Sequence, residues 1–103
     1  MTVASILMSE LADGLAHGVE VDGVKVVVVS CESGIYALED RCSHEDFPLS
    51  EGEVFASSCE IECARHGASF SLIDGTPSSF PATKPVRTYA VTVDGDVAKV
   101  EAR

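Results

Sequence analysis

Two short motifs hold the residues best suited to chemistry, Cys42-Ser43-His44 and Cys63-Ala64-Arg65-His66. Each sets a histidine shortly after a cysteine, in the same order, and 18 residues separate His44 from Cys63. Thiolates and imidazoles are metal ligands, so the four side chains form a Cys2His2 donor set. A zinc finger groups its cysteines and then its histidines, whereas here each motif supplies one of each. That pattern suits a centre with two unlike metal ions. Cys42 and Cys63 would bind one iron of a 2Fe–2S cluster, and His44 and His66 the other. A structural zinc site that binds another protein is the competing use of the same ligands.

The remaining candidates are weaker. Cys31 ends a valine-rich run, and Cys59 shares strand parity with Ile61 and Cys63. Both read as buried thiols packing as small hydrophobes. A Cys31–Cys59 disulfide is disfavoured in a reducing cytosol. His17 lies in a turn-rich segment and reads as a surface residue. Arg65, between two ligands, reads equally well as a partner contact or a solvated loop residue.

The elements that must position these residues are strands. The chain has 14 Val and 4 Ile against 6 Leu, and β-branched side chains favour a pleated surface. Asp22-Gly23, Asp74-Gly75 and Asp94-Gly95 read as hairpin turns, with Ser33-Gly34 a weaker fourth. Strands are expected at 3–8, 18–21, 24–31, 35–38, 59–62, 68–73, 86–93 and 97–101. Sustained 3.6-residue periodicity is missing, and Ser9 to Gly14 allows one helical turn at most. The fold class is therefore all-β, a small antiparallel sandwich or barrel. At 103 residues it is one domain. Residues 1–40 and 82–103 read as a base of paired strands, and residues 41–81 as an inserted loop-rich subdomain.

Net charge is −10, which argues against nucleic acid or an anionic membrane and favours partners with basic surfaces. Residues 39–62 carry a net −7, and residues 63–88 a net +2. No apolar run approaches the roughly 20 residues of a membrane span. Residues 1–8 lack the basic stretch of a secretory signal, so a cytoplasmic location is expected.

With these motifs in place, the sequence resembles the Rieske iron–sulfur proteins, and more narrowly the small ferredoxins that serve ring-hydroxylating dioxygenases. The likeness runs through nearly the whole chain. Residues 36–44 look like the strand entering the first ligand loop, and Phe47, Leu49-Ser50-Glu51-Gly52 and Val54 fit the segment after it. Cys63 to Gly67, with Phe70, fits the second loop. Asp74 to Pro77 and Phe80 to Thr83 fit the turn and the proline loop that covers the cluster. The gap between the loops is slightly longer than usual, with the extra residue expected near Ala56-Ser57-Ser58.

This resemblance implies a Rieske-like fold, an antiparallel β-sandwich base with an inserted cluster-binding subdomain. It implies one 2Fe–2S cluster held by Cys42, His44, Cys63 and His66, with the histidines at an exposed tip. The oxidised cluster is then neutral by formal count and −1 when reduced. The protein would be a one-electron carrier, with no catalytic residues of its own, between a flavin-dependent reductase and a terminal oxygenase. A monomer is expected. The high-potential respiratory relatives have a further Cys in each loop and a Ser two residues after the second histidine. Here 45–47 and 67–69 contain no Cys, and that Ser position is Ala68. A low reduction potential is implied, because a lost hydrogen bond to the cluster disfavours its reduced state. Gly67 would let the backbone turn close to the cluster, and Pro81 would exclude water from it. A role in another pathway, including that of a nitrite-reductase-like small subunit, is the alternative within the same fold.

Overall fold

The run Val24–Cys31 forms the strand around which the rest is built. The computed structural model describes residues 3–11, 16–32, 34–42, 48–64, 67–78 and 84–103. Its strands are β1 (Ala4–Leu7), β2 (Ala16–Val21), β3 (Val24–Cys31), β4 (Gly34–Glu39), β5 (Val54–Phe55), β6 (Glu60–Glu62), β7 (Ser69–Ser71), β8 (Thr88–Asp94) and β9 (Val97–Ala102). Six form an antiparallel sheet in the order β1-β9-β8-β4-β3-β2, and three form a second in the order β5-β6-β7.

Strand β3 is apolar throughout because it is covered on both faces. Val26 and Val28 join Val21, Ala37, Tyr89 and Val100 in one buried cluster. Edge strands β1 and β2 approach each other, so the large sheet curls around that cluster. Val27, Val29 and Cys31 point the other way, toward Leu38, Leu49, Ile61, Phe70, Leu72 and Val86. This second core joins the large sheet to the small one. Phe70, Leu38, Leu49 and Ile61 are fully buried in it, each worth about 1.5–3 kcal/mol of transfer free energy.

The all-β expectation holds, with differences in detail. Asp22 and Gly23 both take positive φ, 51° and 81°, as a type I′ turn requires. In the last hairpin Asp94 pairs with Val97, so the turn residues are Gly95-Asp96 rather than Asp94-Gly95. Gly95 alone of that pair has positive φ, the glycine-first pattern of type II′. Strand β2 begins at Ala16, which puts His17 half-buried opposite Val28 and not in a turn. The two residues of β5 were not anticipated. Single 3-10 turns occur at Met8–Glu10 and Leu49–Glu51.

Asp74-Gly75 does lie in a chain reversal, since Phe70 of β7 bridges Pro77 antiparallel, but Gly75 alone of the two has positive φ, so the type I′ form is not made. The Asp74 carboxylate accepts hydrogen bonds from Thr76 N (3.0 Å) and Thr76 Oγ1 (2.7 Å). Chiefly through the Thr76 hydroxyl, these bonds hold the Asp74 carboxyl below its ordinary value. A depressed folded-state pKa contributes stability above the ordinary carboxylate value, and this is lost as pH falls through the lowered one. Thr76→Val is expected to bring the Asp74 midpoint back up, read as the Asp74 carboxyl carbon shift in an NMR titration.

The largest correction concerns Cys31 and Cys59, which are joined in a disulfide rather than being separate thiols. Cys31 closes β3, and Cys59 takes a left-handed φ of 52° just before β6, which brings their α-carbons to 5.5 Å. Glu32 N donates to Ala56 O beside the bridge. The disulfide thus ties the small sheet to the large one across 28 residues of sequence. A loop of that size stabilises by roughly 3–4 kcal/mol through the unfolded chain. Cys31→Ser with Cys59→Ser should lower the thermal midpoint by about 10 °C or more, measured by calorimetry without reductant.

Candidate metal centre

Cys42 stands three residues beyond β4, at the start of the first motif. The approach to it is anchored in the large sheet, where Glu39 N donates to Arg87 O (2.8 Å) and Asp40 N to Lys25 O (2.9 Å). The Asp40 carboxylate then accepts two hydrogen bonds, from Ser50 N and Ser50 Oγ, both at 2.7 Å. Ser50 belongs to the 3-10 turn that follows the motif, closed by Gly52 N to Leu49 O. The returning chain is thereby tied to the departing one.

Cys63 directly follows β6. Its N–H donates to Ala68 O (2.6 Å), and its carbonyl accepts from Gly67 N (2.9 Å). The two bonds form a backbone clasp between Cys63 and Gly67-Ala68. Gly67 has φ 73°, and a Cβ there would meet nothing within 4 Å among the described residues. The requirement for glycine is thus one of backbone conformation. Beyond β7, Pro77 bridges Phe70, with Ser71 N bonded to Thr76 O and Ser78 N to Ser69 O. These bonds hold the chain that leads toward 79–83 against the small sheet.

Cys42 and Cys63 are both buried and remain thiols. They lie in the same apolar cluster between the two sheets, and among the described residues no polar or charged side chain is fully buried. Two thiols in an apolar, water-poor setting suit a soft, thiolate-preferring metal centre. With Cys31 and Cys59 bonded to each other, two cysteines remain for a metal. That fits the thiolate half of a mixed Cys/His centre and not a four-cysteine one.

His44, His66, Arg65 and Pro81 lie outside the described residues, as does Ser33 of the weak turn signal. The sequence reading gave no role to Asp40 and Ser50. Their signal was an aspartate two residues before a Cys-x-His motif, with a serine at the end of the same loop.

The family profile described as Rieske [2Fe-2S] domain matches residues 2–90. The 3-phenylpropionate/cinnamic acid dioxygenase ferredoxin subunit of Photorhabdus laumondii is 37% identical over 91 residues, covering 87% of this chain and 85% of that protein. The ferredoxin of carbazole 1,9a-dioxygenase from Nocardioides aromaticivorans superposes with a TM-score of 0.90 at 36% identity, covering 100% of this chain and 97% of the other. A chain from a complex of reduced oxygenase and oxidised ferredoxin in carbazole 1,9a-dioxygenase superposes with a TM-score of 0.87 at 30% identity, covering 100% and 94%. Among the described residues, no helix is long and apolar enough to cross a membrane.

Proposed function

We propose that this chain, which belongs to the Rieske [2Fe-2S] domain family, is the ferredoxin of a multicomponent oxygenase system, with no catalytic residues of its own. It would take single electrons from a flavin-dependent reductase and pass them to a terminal oxygenase. The names of its relatives support this role, and the oxygenase–ferredoxin complex shows that a relative docks on its oxygenase.

The observation that carries the reading is the division of the cysteines. Two are bonded to each other and two remain buried thiols in one cluster. We assign Cys42 and Cys63 to one iron, and His44 and His66 to the other. When bound, the cluster supplies a one-electron couple within about −150 to +300 mV for this ligand type. The chain's own residues set its place in that range. Ala68 is buried beside Cys63 and has no side-chain donor for a cluster sulfide, which favours the lower part. The acidic surface would steer the protein onto basic docking faces, so electron delivery should slow as ionic strength rises. A monomer in the cytoplasm completes the reading. There the Cys31–Cys59 bridge, about 5% and 4% exposed, is shielded from thiol reductants.

The test is iron and sulfide analysis with low-temperature EPR of the anaerobically purified, dithionite-reduced protein. The expected result is about two irons and two sulfides per chain, with a rhombic signal of low average g-value. A colourless zinc protein, or a signal of the all-cysteine type, would overturn the assignment.

A further inference from the structure

We propose that Asp40 and Ser50 are positioning residues for Cys42, closing the first ligand loop at its neck so that the thiol keeps a fixed place in the cluster it shares with Cys63. The proposal rests on the reading above that Cys42 is a ligand.

Nine residues, 41–49, separate the two partners. At the neck, Asp40 Oδ1 accepts from Ser50 N and Oδ2 from Ser50 Oγ. Hydrogen bonds to an ionised carboxylate are about twice as strong as neutral ones, and this pair is half-buried, which limits competition from water. One side of the neck is fixed to the large sheet through Asp40 N to Lys25 O. The other is fixed by the buried side chain of Leu49, in the same apolar cluster as Cys42. Closing the neck therefore couples two rigid anchors across the loop that carries the ligand.

The second ligand loop is closed differently. Its clasp, Cys63 N to Ala68 O and Gly67 N to Cys63 O, is made of backbone groups and survives most side-chain changes. The clasp at Asp40 depends on two side chains. A point substitution should therefore loosen the first loop selectively and leave the second intact.

The test compares cluster-loaded wild type with Asp40→Ala, Asp40→Asn and Ser50→Ala. Three quantities are read: iron release to a chelator, EPR line shape and thermal midpoint. Asp40→Ala removes both bonds and should release iron about tenfold faster or more, as for other groups that orient metal ligands. Its EPR lines should broaden, because the Cys42 thiolate samples several geometries. Asp40→Asn retains an acceptor oxygen for Ser50 N, and Ser50→Ala retains the backbone bond, so both should fall in between. Wild-type release and line shape in Asp40→Ala would overturn the proposal, even with a lowered thermal midpoint. If Asp40→Ala does not fold, Ser50→Ala decides, and unchanged release there is equally fatal. Absence of a mixed-ligand signal in the unsubstituted protein would remove the ligand reading itself, a failure distinguishable by appearing before any substitution.

Discussion

Replacing Cys63 with serine is expected to remove the cluster entirely, leaving less than about a tenth of wild-type iron and no Rieske-type EPR signal. The size of the effect follows from the cysteine arrangement. Cys31 and Cys59 are engaged with each other, so neither can stand in for a lost thiolate. Among the described residues, those clustered with Cys63 include Ile61, Ala68 and Phe70, whose apolar side chains offer no replacement ligand. A serine hydroxyl ionises far less readily than a thiol and is a poor ligand for iron–sulfur chemistry. Cys42→Ser should behave in the same way. The informative contrast is with Cys31→Ser plus Cys59→Ser, which should keep the cluster spectrum while lowering the thermal midpoint. One pair controls iron and the other controls stability. Full iron content and an unchanged spectrum in Cys63→Ser would show that the assignment of thiols to iron is wrong.

The two Cys/His motifs and the strand content could be picked out because both rest on local signals. A Cys-x-His and a Cys-x-x-His on turn-rich segments need no knowledge of distant contacts. The valine-rich run was expected as a strand over 24–31, and the structure divides Val26 to Val29 between two cores. The Cys31–Cys59 bridge was misread because it depends on a long-range approach. It links a strand end to a turn residue of positive φ, and spacing carries no trace of that. The expected cytosolic setting also argued against it, although burial of both cysteines separates them from the solution that would reduce them. The Asp40–Ser50 clasp was invisible for a related reason. Aspartate and serine are ordinary loop residues, and the meeting of this pair follows from where β4 and the 3-10 turn are held. The Asp94-Gly95 signal failed by one residue, because a dipeptide marks a turn but strand pairing decides which two residues occupy its centre.

Gly52→Ala should be among the most damaging single substitutions in the chain, though nothing in its sequence context announces this. Gly52 has φ −89° and ψ −178°, a conformation open to any residue, so the requirement is one of space. A Cβ there would collide with the carbonyl oxygen of Glu62, and would lie 2.8 Å from its carbonyl carbon and 3.3 Å from Leu49 O. These are backbone atoms that cannot swing aside. Overpacking ordinarily costs about 1–3 kcal/mol, and a clash with a strand backbone belongs at or above the top of that range. A fall in thermal midpoint of about 12 °C or more is expected for a domain of this size. Gly75→Ala should be comparable, since a Cβ would strike the Val86 carbonyl and φ is 77°. Gly18→Ala is the control: its Cβ would meet nothing within 4 Å among the described residues and its φ is not positive, so its effect should stay within about 1 kcal/mol. The consequence at Gly52 also reaches the proposed metal site. Glu62 is the last residue of β6, its N–H bonds to Glu53 O, and Cys63 follows it directly. Pushing Glu62 away to admit a methyl group displaces the backbone that sets the Cys63 thiol. The folded fraction of Gly52→Ala should therefore also bind less iron, whereas Gly18→Ala should bind as much as wild type. Equal midpoints for the two variants would mean that the close approach of Gly52 to β6 does not constrain the fold.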